Sequence, residues 1–366
     1  MPVEPTFPAI QYAKASDDVN VAYFSVGGGR PIVFASNIFG DVHLYRRAWP
    51  HVHDITDRLA GLGWRVIRHD HRGMGYSDRD VSDLSLEARV NDVRAVVNQL
   101  DLKRFALAGV SIGAATAMAY AARNQALISH LVLISPWVSG ARLFDIPDLR
   151  VAASTPVTGE REWKVFANML GSVATAFEDP ELGRQIASAI QESTDPKGFA
   201  AYNETSRRMD LTELLPQIAM PCLVIHEPGF PFGSFELCQQ VAAGIPNAQF
   251  VIVGGKSIAG SMHEGHVTAI DQFLRSGTVT QSISVASGSP ADAPRFIAPD
   301  GLTPREVEVL KRVAAGMTNK AIAAELGVAV PTIERHLVNL YTKIGARGRA
   351  DATAYAVRHD LDAPPL

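Results

Sequence analysis

The chain has 366 residues, a formal net charge of -4 and 47% hydrophobic residues, which leaves room for one large domain beside a small one and excludes a general nucleic-acid coat. Two cysteines, Cys222 and Cys238, cannot build a disulfide framework and lack metal-ligand spacing, so the sequence predicts unpaired thiols in a reducing compartment, with no metal and no cofactor. The opening MPVEPTFPAIQYAKASDD has no basic-then-apolar signal and no later run is long and apolar enough to span a bilayer, which predicts a cytoplasmic protein with no membrane partner.

In chain order, Val21 to Val26 alternates like a strand and runs through Gly27-Gly28-Gly29 into Pro31 to Ala35, a short buried strand. A helix from about Ala48 to Leu62 and a strand from Trp64 to Arg68 follow. The alternation continues with a helix from Ser85 to Leu100, a strand from Phe105 to Val110, a helix from Ile112 to Arg123 and a strand from Leu131 to Ser135. This order predicts an α/β fold, a mostly parallel sheet with helices on both faces. From Ser135 to Asp210 the strand pattern stops and a helical stretch intervenes, carrying Phe144, Trp163, Phe166, Met169, Phe177, Phe199 and Tyr202. Strands return at Pro221 to His226 and Phe250 to Gly254.

Between the Phe105–Val110 strand and the next helix lies Gly109-Val110-Ser111-Ile112-Gly113. A G-x-S-x-G sequence in strand-turn-helix context is a nucleophile elbow: the glycines permit a tight, strained turn that lifts the serine clear of the sheet, with the Ile112 N–H as one oxyanion donor. With Asp70-His71-Arg72-Gly73-Met74-Gly75-Tyr76-Ser77, similar to a D-x-R-G-x-G-x-S turn, residues 10 to 275 resemble the α/β-hydrolase family. The resemblance implies a helical cap, about 136–215, over a site at Ser111.

A serine nucleophile needs a base and an orienting acid, in the family order Ser, Asp or Glu, His. At the acid position the chain has Glu227-Pro228-Gly229-Phe230, and at the base position Gly255-Lys256-Ser257-Ile258. The oxyanion-side His-Gly of the family is replaced by Ser36-Asn37-Ile38-Phe39. A hydroxyl without a base is a poor nucleophile. The alternative is a shifted triad, with His263 or His266 as base and Glu227, Asp145 or Asp148 as acid. The pattern Val267, Ile270, Phe273 instead places His263 and His266 in the first turn of a surface helix, which is the favoured expectation.

Gly277 to Ala298 is rich in Ser, Ala, Gly and Pro without an apolar period and reads as a linker, 277–299. Beyond it, 300–366 reads as four short helices. Thr303 with Glu306 makes a capping box, with Pro304 at the first helical position. Val307, Leu310 and Val313 recur until Gly316, Thr318 opens a second helix with Ile322 and Leu326, and Gly327 makes a turn. A third helix gathers Ile333, Leu337, Leu340 and Ile344 on one face, which leaves Thr332, Glu334, Arg335, Val338, Asn339 and Lys343 outward. Two helices joined by a tight turn, the second with a polar face, suit a reader of the DNA major groove, which admits one helix.

The run L-T-P-R-E, Asn319-Lys320, Thr332-Ile333-Glu334-Arg335-His336, Lys343-Ile344-Gly345 and Arg349 resembles the LuxR-type (NarL/FixJ) helix-turn-helix. The chain departs from that family at Ala329, often Ser or Thr, and Glu334, often Lys. The resemblance implies double-stranded DNA as partner. Glu334, Arg335 and Val338 are expected to read bases, and Lys320, Thr332, Asn339 and Arg347 to anchor phosphates. Basic and acidic residues nearly balance in this stretch, so one copy should bind weakly and a homodimer on paired half-sites is expected.

Together these features predict a ligand-responsive transcriptional regulator. An impaired hydrolase-like domain, 1–276, would bind a small apolar ester, lactone or phenolic effector through Ser111, Ile112, Asn37, Ile38, Phe39, Trp137, Phe230, Ile258 and His263. Two alternatives stand beside it: an active serine esterase or lactonase that clears its own signal, and a constitutive regulator whose hydrolase-like domain serves only for dimerisation. No receiver-like acidic cluster and no P-loop sequence occurs.

Overall fold

The computed structural model describes residues 7–37, 42, 55–146, 150, 157, 159–175, 179–228, 230, 233–253, 264–279, 304–314, 317–325, 330, 333, 337, 340–341, 343–346 and 348–358. The chain divides into two compact units, Met1–Val285 and Ala286–Leu366.

The first unit is built on an eight-stranded sheet in the order β1-β2-β4-β3-β5-β6-β7-β8. The strands are β1 (Gln11–Lys14), β2 (Asn20–Val26), β3 (Pro31–Ala35), β4 (Arg65–His69), β5 (Phe105–Val110), β6 (Ile128–Ile134), β7 (Cys222–His226) and β8 (Ala248–Ile252). β2 pairs antiparallel with β1 and β4, and every other pairing is parallel. Central strands such as FALAGV are apolar throughout because both faces are covered. One face packs Ile32, Phe34, Ala108, Ile134 and Ile225 against helices α1 (Ile55–Gly61) and α9 (Glu264–Ser276). The other packs Val33, Leu107, Leu133 and Val224 against α2 (Leu86–Gln99), α3 (Ile112–Arg123) and α8 (Phe235–Gly244).

The D-x-R-G-x-G-x-S segment after β4 is a clamp. The buried Asp70 carboxylate accepts the N–H groups of Val42 at 2.7 Å and Tyr76 at 2.8 Å. The Ser77 hydroxyl donates to Asp70 O at 2.5 Å and accepts the Ala22 N–H at 2.9 Å, tying the turn to β2. Gly75 has φ 56°, and a Cβ there would stand 2.2 Å from Asp70 Oδ2, so only glycine lets the turn fold back on that carboxylate. Arg72, buried, pairs with Asp92 on α2 at 2.8 Å and with Asp17. A buried guanidinium is tolerable only when its donors are met in this way.

The stretch between β6 and β7 holds α4 (Gly140–Leu143), α5 (Glu160–Ala174), α6 (Pro180–Ser193) and α7 (Pro196–Arg207). Asp179 and Asp195 cap α6 and α7, each followed by proline at the first helical position. Trp163, Phe166 and Phe199 pack on one another, so these predicted cap aromatics form the interior of the helical layer itself. The α5–α6 crossing is close because Gly171 and Gly183 meet: a Cβ on Gly171 would stand 2.1 Å from Gly183 O. The layer is fastened to the clamp through the Gly75 N–H, which donates to Ser193 O at 2.9 Å, and through Tyr202, whose ring stacks on His71 at 4.6 Å and lies 3.6 Å from the Arg89 guanidinium.

After α9, the Gln249 side chain on β8 donates to Gly277 O at 2.6 Å and accepts the Val279 N–H at 3.0 Å. The chain that leaves α9 is thus held to the sheet edge as far as Val279; residues 280–303, the rest of the predicted linker included, lie outside the described residues.

In the second unit, α10 (Pro304–Ala314), α11 (Asn319–Glu325), a helical stretch through positions 330, 333, 337, 340, 341, 343 and 344, and α12 (Arg349–Arg358) surround one core. Leu310, Val313, Ile322, Ile333, Leu337 and Leu340 are buried there, as their spacing predicts, with Val309, Tyr355 and Ala356 added. Thr318 accepts the Ala321 N–H at 3.2 Å and so opens α11. Lys343 is exposed, as expected, and its ammonium also reaches the buried Glu306 carboxylate at 2.7 Å. An otherwise buried carboxylate on α10 needs that ammonium.

Candidate functional site

Ser111 follows β5 directly, with φ 47° and ψ -109°. A side-chain-bearing residue held there costs about 1–3 kcal/mol and persists only where its surroundings impose it. The two flanking glycines impose it. A Cβ on Gly109 would stand 2.6 Å from the Gly113 backbone, and one on Gly113 would stand 2.5 Å from Ala35 O at the end of β3. The Ser111 N–H donates to Ile134 O at 2.9 Å, which fixes the turn to β6. Ile112 is the first residue of α3, so its N–H belongs to the donors that an α-helix leaves unpaired at its start. The elbow is therefore built as its sequence predicts: a buried serine hydroxyl beside free helix N-terminal donors.

Among the described residues, no hydrogen bond joins the Ser111 hydroxyl to a histidine or carboxylate. The turn after β8 that carries the base position, residues 254–263, lies outside the described residues. Glu227 directly follows β7 and is buried. His266, in the first turn of α9, is fully buried and places Nε2 3.5 Å from Glu227 Oε2. This corrects the expectation of a surface position for His266. The helix turns that side chain inward, as it does Val267, Ile270 and Phe273. The separation exceeds a good hydrogen bond.

The other predicted residues divide. Trp137 is fully enclosed in the core beside α8, Phe230 is buried with its N–H donating to Glu227 O at 3.2 Å, and Asn37 is half-buried at the end of β3, accepting at its backbone oxygen from the Ser36 hydroxyl at 3.2 Å. Asp145 is exposed on the described chain. Ile38, Phe39, Asp148, Ile258 and His263 lie outside the described residues, as do Thr332, Glu334, Arg335, Val338, Asn339 and Arg347 of the DNA reader. Lys320 is exposed on α11.

Two residues that sequence reasoning missed stand beside Ser111 along the ends of the strands. Ser135, after β6, also has a positive φ of 46°. His226 ends β7; burial pushes its pKa below the usual imidazole range, partly offset by the nearby Glu236 carboxylate. The sequence held no signal for Ser135, since a left-handed serine outside a glycine-flanked motif has no spacing to read. The described residues contain no cluster of three or more metal-ligating side chains and no helix long and apolar enough to cross a membrane.

A glycine-flanked, strained serine between the fifth strand and its helix, on a mostly parallel eight-stranded sheet with a helical insertion, defines a hydrolase-type scaffold joined to a small helical unit. A family model described as alpha/beta hydrolase fold matches residues 30–213, and one described as bacterial regulatory proteins, luxR family, matches residues 300–356. The chain belongs to the alpha/beta hydrolase fold family and carries a LuxR-type DNA-binding helix-turn-helix at residues 300–356, so it is a DNA-binding regulator fused to a hydrolase-fold domain. It is 28% identical over 261 residues to the AB hydrolase superfamily protein YisY of Bacillus subtilis (strain 168), covering 66% of this chain and 89% of that protein. Among solved structures it is similar to an esterase from Exiguobacterium antarcticum, with a TM-score of 0.61 and 19% identity over 73% of this chain and 99% of that one. It is also similar to Est816, described as an N-acyl homoserine lactone degrading enzyme, with a TM-score of 0.56 and 21% identity over 74% of this chain and 100% of that one.

Proposed function

We propose that the hydrolase-fold unit is a sensor that binds a small apolar effector without turning it over, and that binding controls how the LuxR-type unit engages DNA. The observation that carries this reading is the elbow at Ser111 in a chain whose other unit is a DNA reader. The residues at the family's acid and base positions, Phe230 and Ile258 among them, support it. Ser111 and the Ile112 N–H hold a carbonyl or hydroxyl of the effector. Asn37, Ile38, Phe39, Trp137, Phe230, Ile258 and His263 shape the rest of the cavity.

The esterase and lactone-degrading enzymes of similar fold favour an ester or lactone as effector class. In the second unit Glu334, Arg335 and Val338 read bases while Lys320, Thr332, Asn339 and Arg347 hold phosphates, and two copies pair on half-sites.

A conformational response requires the effector to bind two states with different affinity. Esters and lactones are screened for those that raise the Tm of the full chain, as a ligand of the folded state must, and the DNA affinity of the full chain is then measured with and without each hit. A changed Kd for DNA is expected. An effector that binds the free and the DNA-bound protein equally would sink the sensor reading.

One observation favours a second reading, an active esterase or lactonase fused to the DNA reader. Glu227 and His266 form a buried acid–imidazole pair. If a substrate drew His266 toward Ser111, the elements of a triad would be present in this chain.

A further inference from the structure

The ends of β5, β6 and β7 lie side by side, and the backbone fixes their spacing. The Ser111 N–H donates to Ile134 O at 2.9 Å, and the Ser135 N–H donates to Ile225 O at 2.8 Å. β6 and β7 pair Ile134 with Ile225, so Ser135 stands next to His226. Successive positions are thus one strand spacing apart, about 5 Å.

Ser135 is 1% exposed and His226 8%, and Trp137, two residues beyond the serine, is fully buried. Ser135 Oγ, His226 Nδ1 and Trp137 Nε1 have no hydrogen-bond partner among the described residues. Buried polar atoms are nearly always paired, so two orphans at adjoining strand ends, with a third two residues further along the chain, call for an explanation. The backbone supports the same view: Ser135 is held at φ 46°, a strained conformation of the kind that collects at ligand sites. The segment before α8 closes on it, since a Cβ on Gly233 would stand 3.2 Å from Ser135 Cβ and 3.3 Å from its Oγ. The Phe235 ring meets the His226 imidazole edge-on at 5.4 Å.

We infer that Ser135, Trp137 and His226 form a polar subsite beside Ser111 that takes a second, uncharged oxygen of the effector, an amide or ester carbonyl. The inference rests on the sensor reading and narrows its ligand class. An indole N–H can only donate, and a hydroxyl and a neutral imidazole can both donate, so the group common to all three is an oxygen acceptor. A carboxylate is disfavoured because no described Arg or Lys bonds to these side chains, the nearby Glu236 is itself negative, and an unpaired buried ion is costly. The spacing from Ser111 selects ligands with two carbonyl groups roughly one strand spacing apart.

Two probes of equal chain length separate the cases: methyl N-butyrylglycinate, with an amide and an ester carbonyl, and methyl heptanoate, with the ester alone. Each is titrated by calorimetry into the full chain and into Ser135→Ala and Ser135→Gly, the glycine variant tolerating the left-handed backbone should alanine perturb folding. The expected result is a roughly 3- to 10-fold loss of affinity in both variants for the amide ester, the worth of one hydrogen bond, with affinity for methyl heptanoate unchanged. Unchanged affinity for both probes, or an equal loss for both, would overturn the subsite while leaving the sensor reading in place. Failure of both probes to bind the wild-type chain would overturn the subsite, and the sensor reading then stands or falls on the ester and lactone screen.

Discussion

Gly113→Val is expected to lower the stability of the hydrolase-fold unit by about 3 kcal/mol, the upper end for forcing extra atoms into a packed interior. A Cβ at this position would stand 2.5 Å from Ala35 O and 3.0 Å from Ser36 O. Both are backbone atoms at the end of a central strand, so neither can rotate away. Relief requires α3 to move off β3, which carries Ser111 and the Ile112 N–H out of register with the site. Denaturant unfolding measures this as a lower midpoint with an unchanged slope. Gly113→Ala brings the same Cβ, with part of its cost offset by the better helix propensity of alanine. A Gly113→Val protein as stable as wild type would mean that the close approach of α3 to β3 does not hold the elbow.

Arg335→Ala is expected to weaken operator binding by roughly 10- to 100-fold and to relax sequence preference at one base pair, since a bidentate arginine–guanine contact carries about 1–3 kcal/mol of discrimination. Arg335 itself lies outside the described residues. Its assignment rests on the sequence spacing alone, in which Ile333, Leu337 and Leu340 share one helical face and position 335 does not. Lys320 is exposed on α11; under the proposed phosphate-holding role, Lys320→Ala should weaken binding to all sequences alike and reduce the salt dependence. Competition binding with specific and scrambled duplexes at two salt concentrations separates the two effects. Unchanged affinity and preference in Arg335→Ala would refute the base-reading role.

Much of this architecture is legible in the sequence because its signals are local. β3, β5 and α3 fall where strand runs and the G-x-S-x-G turn place them, and Ser85 caps α2 through the Ala88 N–H. The helical core of the second unit follows from the spacing of Ile322, Ile333, Leu337 and Leu340.

What the sequence hid is non-local. His266 and Glu227 can be named from the sequence as candidate base and acid of a shifted triad, but not their burial against each other, which exists because α9 packs its His266 face on the sheet. Lys343 is outward as its spacing predicts, but its pairing with Glu306, buried on α10, has no sequence signal. Ser135 was invisible for a further reason. Its left-handed backbone is imposed by pairing with β7 and by the approach of Gly233, not by any residue pattern of its own. The first strand, β1, was missed because only one of its four residues is buried, which leaves too little alternation to read.

A sensor and an enzyme differ in whether Ser111 acts as a nucleophile. Intact-mass analysis of the full chain after incubation with a fluorophosphonate, beside Ser111→Ala, tests this most directly, because the reagent reports a serine activated by a neighbouring base. No adduct is expected on the folded wild-type chain. A stoichiometric adduct lost in Ser111→Ala would contradict the sensor reading and show that a base serves Ser111, with His266 and Glu227 the first residues to substitute.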